Sequence, residues 1–533
     1  MGTVLGPGDS TLARTGSDHV RAWFASDGVT QASEKELDHR LDRMAREFLQ
    51  AREASTDISL AELAGYFRES RVPEEPADLK AYLSALAEPV VRHSTHTASP
   101  RFIGHMTSAL PYFVRPLSKL VTALNQNMVK SETAKALTPL ERQALAMMHR
   151  LVFGCPDEFY EKHQDDHGST LGAVVSGGTV ANMTALWCAR NAALGPVEGF
   201  AGVEQEGLAA GLRAHGHTGA VVLASSLAHY SVQKSADLLG LGSRGLVKVP
   251  TGPDGRLDLP ELRRVLHDCR RARQRVIAVV GVAGTTDTGA IDPLPEMAEI
   301  ASEAGVHFHV DAAWAGPLLF SEEHRHRLAG IERADSVTMD GHKQLYLPMG
   351  IGMVFLRDPE LARCIEKQAR YIVRPRSVDL GKRALEGSRP AMALFLHAAL
   401  SLIGRRGYGA LIDEGIRKTR YLAGEVRRRP DFELLTDPVI NIVVYRHVPA
   451  RWRPKAWAPA DNAALNAHNE RLQKAQRRAG RTFVSRTTLD HTRYGQTLSI
   501  VGLRAVLANP LTTESDIDAV LEDQAAVALS LAN

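Results

Sequence analysis

From residue 171 to about residue 356, short apolar runs alternate with helix-length amphipathic stretches, and this alternation restricts the possible folds more than any other feature. Strand-like runs fall at 171–175, 219–224, 246–249, 276–280, 306–310, 335–339 and 350–356. Runs separated by helices need crossover connections, so they form a mainly parallel, seven-stranded sheet with helices on both faces. Asp258 ahead of Pro260 marks the start of one such helix. Sheets of this kind hold ligands beyond the carboxyl ends of their strands. The residues in those places are Ser176-Gly177-Gly178-Thr179, His229, Gly284-Thr285-Thr286, Asp311 and His342-Lys343.

Outside this core the pattern changes. Leu37, Leu41, Met44, Phe48 and Leu49 recur at helical spacing and predict one amphipathic helix over Ser33–Leu63. Pro73 to Pro76 read as a linker, Asp78–Leu86 as helix and Leu140–Phe153 as a second amphipathic helix. The clusters Arg101-Phe102-Ile103-Gly104-His105-Met106-Thr107 and Asn125-Gln126-Asn127 suit helix caps and turns as well as ligand contacts, and periodicity does not separate the two. Beyond about residue 400 a helix over Ile416–Arg427, an apolar run at 439–444, a polar helix over Ala463–Arg478 and strand-like segments at 483–487 and 498–507 predict a smaller α+β unit. Pro449 to Pro459 read as an ordered surface loop. The expected division is an N-terminal helical segment over 1–135, a large domain over 136–400 and a small domain over 401–533.

Composition excludes some function classes. Across 533 residues, 64 Lys and Arg nearly balance 61 Asp and Glu, so no global field favours nucleic acid or an anionic membrane. The four cysteines, Cys155, Cys188, Cys269 and Cys364, are scattered and read as reduced thiols, and Met1 to Val20 lack an apolar leader core. Together these predict a cytoplasmic protein. No stretch has the length of a membrane span, and no metal site is expected.

Asp311 and Lys343 each follow a strand-like run, so a parallel sheet brings both to one edge. A lysine that can form a Schiff base, beside a carboxylate that keeps a pyridine nitrogen protonated, suits pyridoxal phosphate. Gly177 and Gly178 precede a helix whose N-terminal N–H groups can hold a phosphate, helped by Thr179 and Asn182. His229 could stack on a cofactor ring or simply open a helix. His307 and His309 share a strand face and read as buried and hydrogen-bonded rather than as a metal pair, whereas His324 and His326 read as a solvated face.

Asp311-Ala312-Ala313-Trp314, Asp340-Gly341-His342-Lys343, Ser176-Gly177-Gly178-Thr179 and Gly284-Thr285-Thr286-Asp287-Thr288-Gly289 together resemble the group II pyridoxal-phosphate amino acid decarboxylases, from about residue 95 to the C-terminus. Arg101 to Ser108 and Asp379-Leu380-Gly381 bring the chain nearest to the aspartate 1-decarboxylase branch of these glutamate decarboxylase-like proteins. The resemblance implies the type I, aspartate aminotransferase-like fold, working as a homodimer. It implies Lys343 as the Schiff-base lysine, Asp311 as the pyridinium partner, His229 and Ala313 on the two ring faces, Gly178, Thr179 and His342 at the phosphate, and Thr285 near the ring hydroxyl or the substrate carboxylate. Arg504, ahead of Asn509-Pro510, matches an arginine that binds a substrate carboxylate. His105, Thr107 and Asn127 match substrate-pocket positions, and His105 in place of a glutamine could shorten the pocket to fit aspartate.

One departure concerns proton delivery. Val378 stands where glutamate decarboxylases carry the tyrosine that protonates Cα, leaving Tyr371, His229 or Lys343 for that task. The expected activity is α-decarboxylation of L-aspartate to β-alanine. Decarboxylation of glutamate or another amino acid, decarboxylation-coupled oxidative deamination, and a non-catalytic binding relative are the alternatives.

Overall fold

The computed structural model describes residue 24 and residues 28–369, 377–452, 459–491 and 497–531. The chain divides into two compact units, Met1–His96 and Thr97–Asn533. No helix among the described residues is long and apolar enough to cross a membrane.

In the first unit, the single helix expected over Ser33–Leu63 is two, Gly28–Gln50 and Leu60–Tyr66. The break has a local cause. Ser59 accepts the Glu62 N–H and Glu62 accepts the Ser59 N–H, a capping box that restarts the helix. Between the two helices Ala54 is fully buried, and its carbonyl accepts the His96 N–H at 3.0 Å. Helical periodicity does not register such an anchor. The third helix, Leu79–Leu86, begins as expected where Asp78 accepts the Ala81 N–H.

Among its described residues the second unit carries two sheets. Strands β1 (Gly172–Val175), β2 (Gly219–Ser225), β3 (Leu246–Val249), β4 (Gln274–Val282), β5 (His307–Asp311), β6 (Ser336–Asp340) and β7 (Gly352–Leu356) lie in the order β1-β7-β6-β5-β4-β2-β3. Only β7 runs against the rest, and it pairs with both β1 and β6. β5, β6 and β7 are almost entirely buried, as continuous apolar runs in a helix-covered sheet must be. The helix expected at Asp258 spans Leu259–Arg271, with the Asp258 carboxylate accepting the Glu261 N–H.

The smaller sheet is antiparallel, with β8 (Phe432–Leu434), β9 (Ile442–His447), β10 (Ser485–His491) and β11 (Leu498–Val506) in the order β10-β11-β9-β8. The run at 439–444 enters β9 only at Ile442, because Asn441 is used otherwise. Its side chain accepts from Trp314 Nε1 and donates to Gln344 Oε1, tying the small sheet to the large one. Part of the loop expected over Pro449–Pro459, residues 453–458, lies outside the described residues. His326 is exposed as expected, but His324 is only 2% exposed. Its backbone N–H donates to Ser321 Oγ, which turns the chain so that the ring faces inward.

Candidate active site

Beyond the carboxyl ends of β1, β4, β5 and β6 lies a cavity of about 530 Å³, within the range of pockets that bury small ligands. Its first wall comes from the turn after β1. Gly177 has φ +150° and ψ 173°, a conformation confined to glycine, and a Cβ on Gly178 would sit 2.8 Å from Asp340 Oδ2. The two glycines thus let the helix Gly178–Ala193 start against the end of β6. Its first N–H groups have no intrahelical acceptor and open on the wall formed by Ser176–Val180.

Asp311, at the end of β5, is 6% exposed. One carboxylate oxygen accepts the Ala313 N–H at 3.1 Å and the other accepts Asn182 Nδ2 at 2.8 Å. Lys343 follows β6, and its Nζ lies 2.9 Å from Asp340 Oδ2. His342 is held from behind, with Nδ1 against the Ile351 carbonyl at 3.0 Å. His229, Ala313 and Trp314 complete this part of the wall. Burial, then the charge of Lys343, holds the His229 pKa below its ordinary value, against the pull of Asp311 and Asp340.

The other wall belongs to the small sheet and the segment packed on it. Ile103 donates to the Phe483 carbonyl and accepts from Val506, and a Cβ on Gly104 would meet Ser485 N at 2.4 Å. This close fit carries His105 to the cavity. From β11, Arg504 donates to the Thr286 carbonyl at 2.7 Å and to the Gly104 carbonyl at 3.4 Å. Its Nε is buried with no protein partner.

Residues 65–448 match the profile of the "Pyridoxal-dependent decarboxylase conserved domain". The chain belongs to the pyridoxal-dependent decarboxylases. It is 45% identical to the aspartate 1-decarboxylase of Aliivibrio fischeri over 95% of this chain and 93% of that protein. It is 31% identical to the L-2,4-diaminobutyrate decarboxylase of Rhizobium meliloti over 85% of this chain and 82% of that protein. The crystal structure of mouse CSAD in apo form superposes with a TM-score of 0.81 at 26% identity, covering 94% of this chain and 99% of that one. The fold is therefore type I, the cofactor is pyridoxal phosphate, and the enzyme is an amino acid decarboxylase.

The decarboxylase cavity fits that cofactor by its donor set: an amine, a buried carboxylate, an imidazole and a helix start with unpaired N–H groups share one wall. Gly178, Thr179, Asn182, His229, Asp311, Ala313, His342, Lys343, His105 and Arg504 all line it. Thr285 does not; its hydroxyl is buried against Thr288 Oγ1, and Thr286 takes the lining position instead. Thr107 stands off the lining with its hydroxyl 3.0 Å from His105 Nδ1. Asn127 is placed elsewhere, donating to Ser388 Oγ at 2.9 Å and accepting the Val129 N–H. Tyr371 lies outside the described residues. Asp340, given no role from sequence, is the carboxylate paired with Lys343, and the spacing within Asp340-Gly341-His342-Lys343 was the available signal.

Proposed function

We propose that this chain decarboxylates L-aspartate at Cα, releasing carbon dioxide and β-alanine. The observation that carries the acidic substrate is Arg504: a buried guanidinium on the cavity wall that uses only two of its five N–H donors on backbone carbonyls keeps others for a second carboxylate of the ligand. The aspartate 1-decarboxylase relative supports aspartate over longer acids.

Pyridoxal phosphate supplies an aldehyde that condenses with an amine and a ring that takes up the electrons of the broken C–C bond. Around it, Lys343 provides the anchoring amine, with Asp340 steadying it at 2.9 Å. Asp311, immobilised by Ala313 and Asn182, would keep the ring nitrogen protonated. Gly178, Thr179 and His342 would hold the phosphate, and Ala313 and His229 would pack against the ring. Arg504 binds the side-chain carboxylate, His105 limits the chain length, Thr107 orients His105, and Thr285 shapes the loop that presents Thr286. Asn127 reaches substrate only by way of the Ser388 turn it braces. Lys343, His229 or Tyr371 returns the proton to Cα.

The enzyme works as a cytoplasmic homodimer, with residues 136–400 forming the cofactor domain, 401–533 the small domain and 1–135 contributing to the interface. Support comes from apolar side chains left exposed in the N-terminal segment, among them Leu60, Tyr66, Phe67, Val72 and Tyr112. The deciding experiment is a panel of amino acids assayed for carbon dioxide and for the organic product, with and without oxygen. Aspartate yielding β-alanine in both conditions is the expected result. Preferred turnover of glutamate, or an aldehyde with ammonia and peroxide under air, overturns it; Val378 at the loop-tyrosine position makes the oxygen arm a pointed one.

A further inference from the structure

Asn182 stands at the junction of a buried chain of hydrogen bonds that runs in one direction. Its Nδ2 lies 2.8 Å from Asp311 Oδ2 and 2.9 Å from Ser231 Oγ. A carboxylate accepts only, so the amide must turn its nitrogen to Asp311 and its oxygen the other way. That oxygen is 3.0 Å from His309 Nε2, which must carry the donated hydrogen. His309 is fully enclosed, and burial pushes its pKa down to about 4, so the ring is neutral and its Nδ1 is bare. Ser336 Oγ, 2.8 Å away, donates to that Nδ1 and in turn accepts from His307 Nε2 at 2.7 Å.

Towards the cavity the direction continues. Ser231 Oγ accepts from Asn182 and lies 2.8 Å from His229 Nδ1, which it meets as a donor because that nitrogen already accepts a backbone N–H. The Ser231 backbone N–H also aims at His229 Nδ1, at 3.3 Å, and a backbone donor cannot reverse. Two donors therefore converge on one nitrogen of His229. The other nitrogen has no protein acceptor among the described residues, and the ring lines the cavity.

We propose that this chain fixes His229 as a neutral imidazole protonated on Nε2, so that it offers the cavity a hydrogen-bond donor suited to a carboxylate oxygen and is not the acid that returns a proton to Cα. Asn182, Ser231 and His309 are positioning residues for it. The inference rests on the cavity being the decarboxylation site, and it leaves Lys343 and Tyr371 as the proton sources. Asp311 and Asp340 face the ring and favour its charged form, while Lys343, Lys234 and above all burial oppose it. The Ser231 backbone N–H adds to the opposition, because a proton on Nδ1 would meet its hydrogen.

Solid-state ¹⁵N NMR of the holoenzyme labelled at histidine, with His229 assigned by its loss in His229→Gln, reads the tautomer without turnover. The expected spectrum shows His229 with a protonated Nε2 and a bare Nδ1 at neutral pH. In Ser231→Ala the titration midpoint of His229 rises by roughly 0.5 to 1 in pH, and Ser231→Thr, which keeps the hydroxyl, restores it. A proton on Nδ1, a doubly protonated ring at neutral pH, or an unmoved midpoint in Ser231→Ala overturns the proposal. If Ser231→Ala does not fold, the wild-type spectrum decides alone. The substrate panel is a separate readout: turnover of some other amino acid would end the aspartate assignment while the His229 tautomer is still read.

Discussion

The two walls of the cavity are built on different terms. On the cofactor wall, side chains hang from the strand ends of a single sheet and from one helix, and buried partners brace most of them: Asp311 with Asn182 and Ala313, Asn182 with His309 and Ser231, His309 with Ser336, while Asp340 Oδ1 and the first N–H groups of the helix have no protein partner among the described residues. The substrate wall gathers parts from three places, β11, the loop after β4 and the segment before His105, and Arg504 joins them through backbone carbonyls. There the guanidinium is held by backbone carbonyls alone, and N–H donors remain that no protein group among the described residues takes. A closed wall sets its geometry before any ligand arrives, whereas an open one waits for the ligand to complete it. This difference is why we propose that the first wall holds the cofactor and the second selects the substrate.

The largest expected effect breaks the closed wall at its anchor. Lys343→Ala abolishes carbon dioxide release and the visible absorbance of bound pyridoxal; turnover surviving in that variant would remove Lys343 from the mechanism. Asp311→Asn keeps the shape but not the charge, and kcat should fall on the order of 10³-fold with the cofactor still bound. A loss confined to cofactor affinity would mean that Asp311 only braces the site. On the open wall, Arg504→Lys should raise the KM for aspartate by roughly 100-fold and leave kcat less affected, because an ammonium cannot reproduce the planar fork. Equal falls in kcat and kcat/KM would place Arg504 in the chemistry instead and erase the distinction between the walls.

The closed wall was also the more legible from sequence. Parallel strands are apolar along their length, so the first polar residue after each run marks the ligand edge, and Asp311, His342, Lys343 and the Gly177-Gly178 turn all line the cavity. Loops follow no such rule. In Gly284-Thr285-Thr286 neighbouring residues face opposite ways, and the lining threonine is Thr286 rather than Thr285. Asn127 and Thr107 sit in irregular segments with no period to read; Asn127 is held by Ser388, 261 positions away, and Thr107 turns its hydroxyl to its near neighbour His105. The chain of hydrogen bonds through Asn182 was out of reach for the same reason. Asn182 and His309 are 127 positions apart, and no local pattern reports that they touch.

Acid provides the finest test of the contrast, because each wall carries a histidine with a lowered pKa. Burial takes His309 down to about 4, below the roughly 6.5 of an unfolded histidine. The folded chain thus binds that proton less readily than the unfolded one, and the resulting stability is complete above about pH 6.5 and lost as the pH falls towards 4. Other buried histidines, such as His149 and His468, share this window, so the informative quantity is a difference. His309→Gln should lower Tm most near pH 8, with the gap to wild type narrowing by about pH 5, where wild type has surrendered the same contribution. His105 is exposed on one side; partial desolvation and then the Arg504 charge lower its pKa. His105→Gln should leave Tm nearly unchanged at every pH while shifting preference towards glutamate by roughly tenfold in kcat/KM. A constant Tm gap for His309→Gln would show that the closed wall holds no proton-linked stability, and a pH-dependent gap for His105→Gln would show that the open wall does.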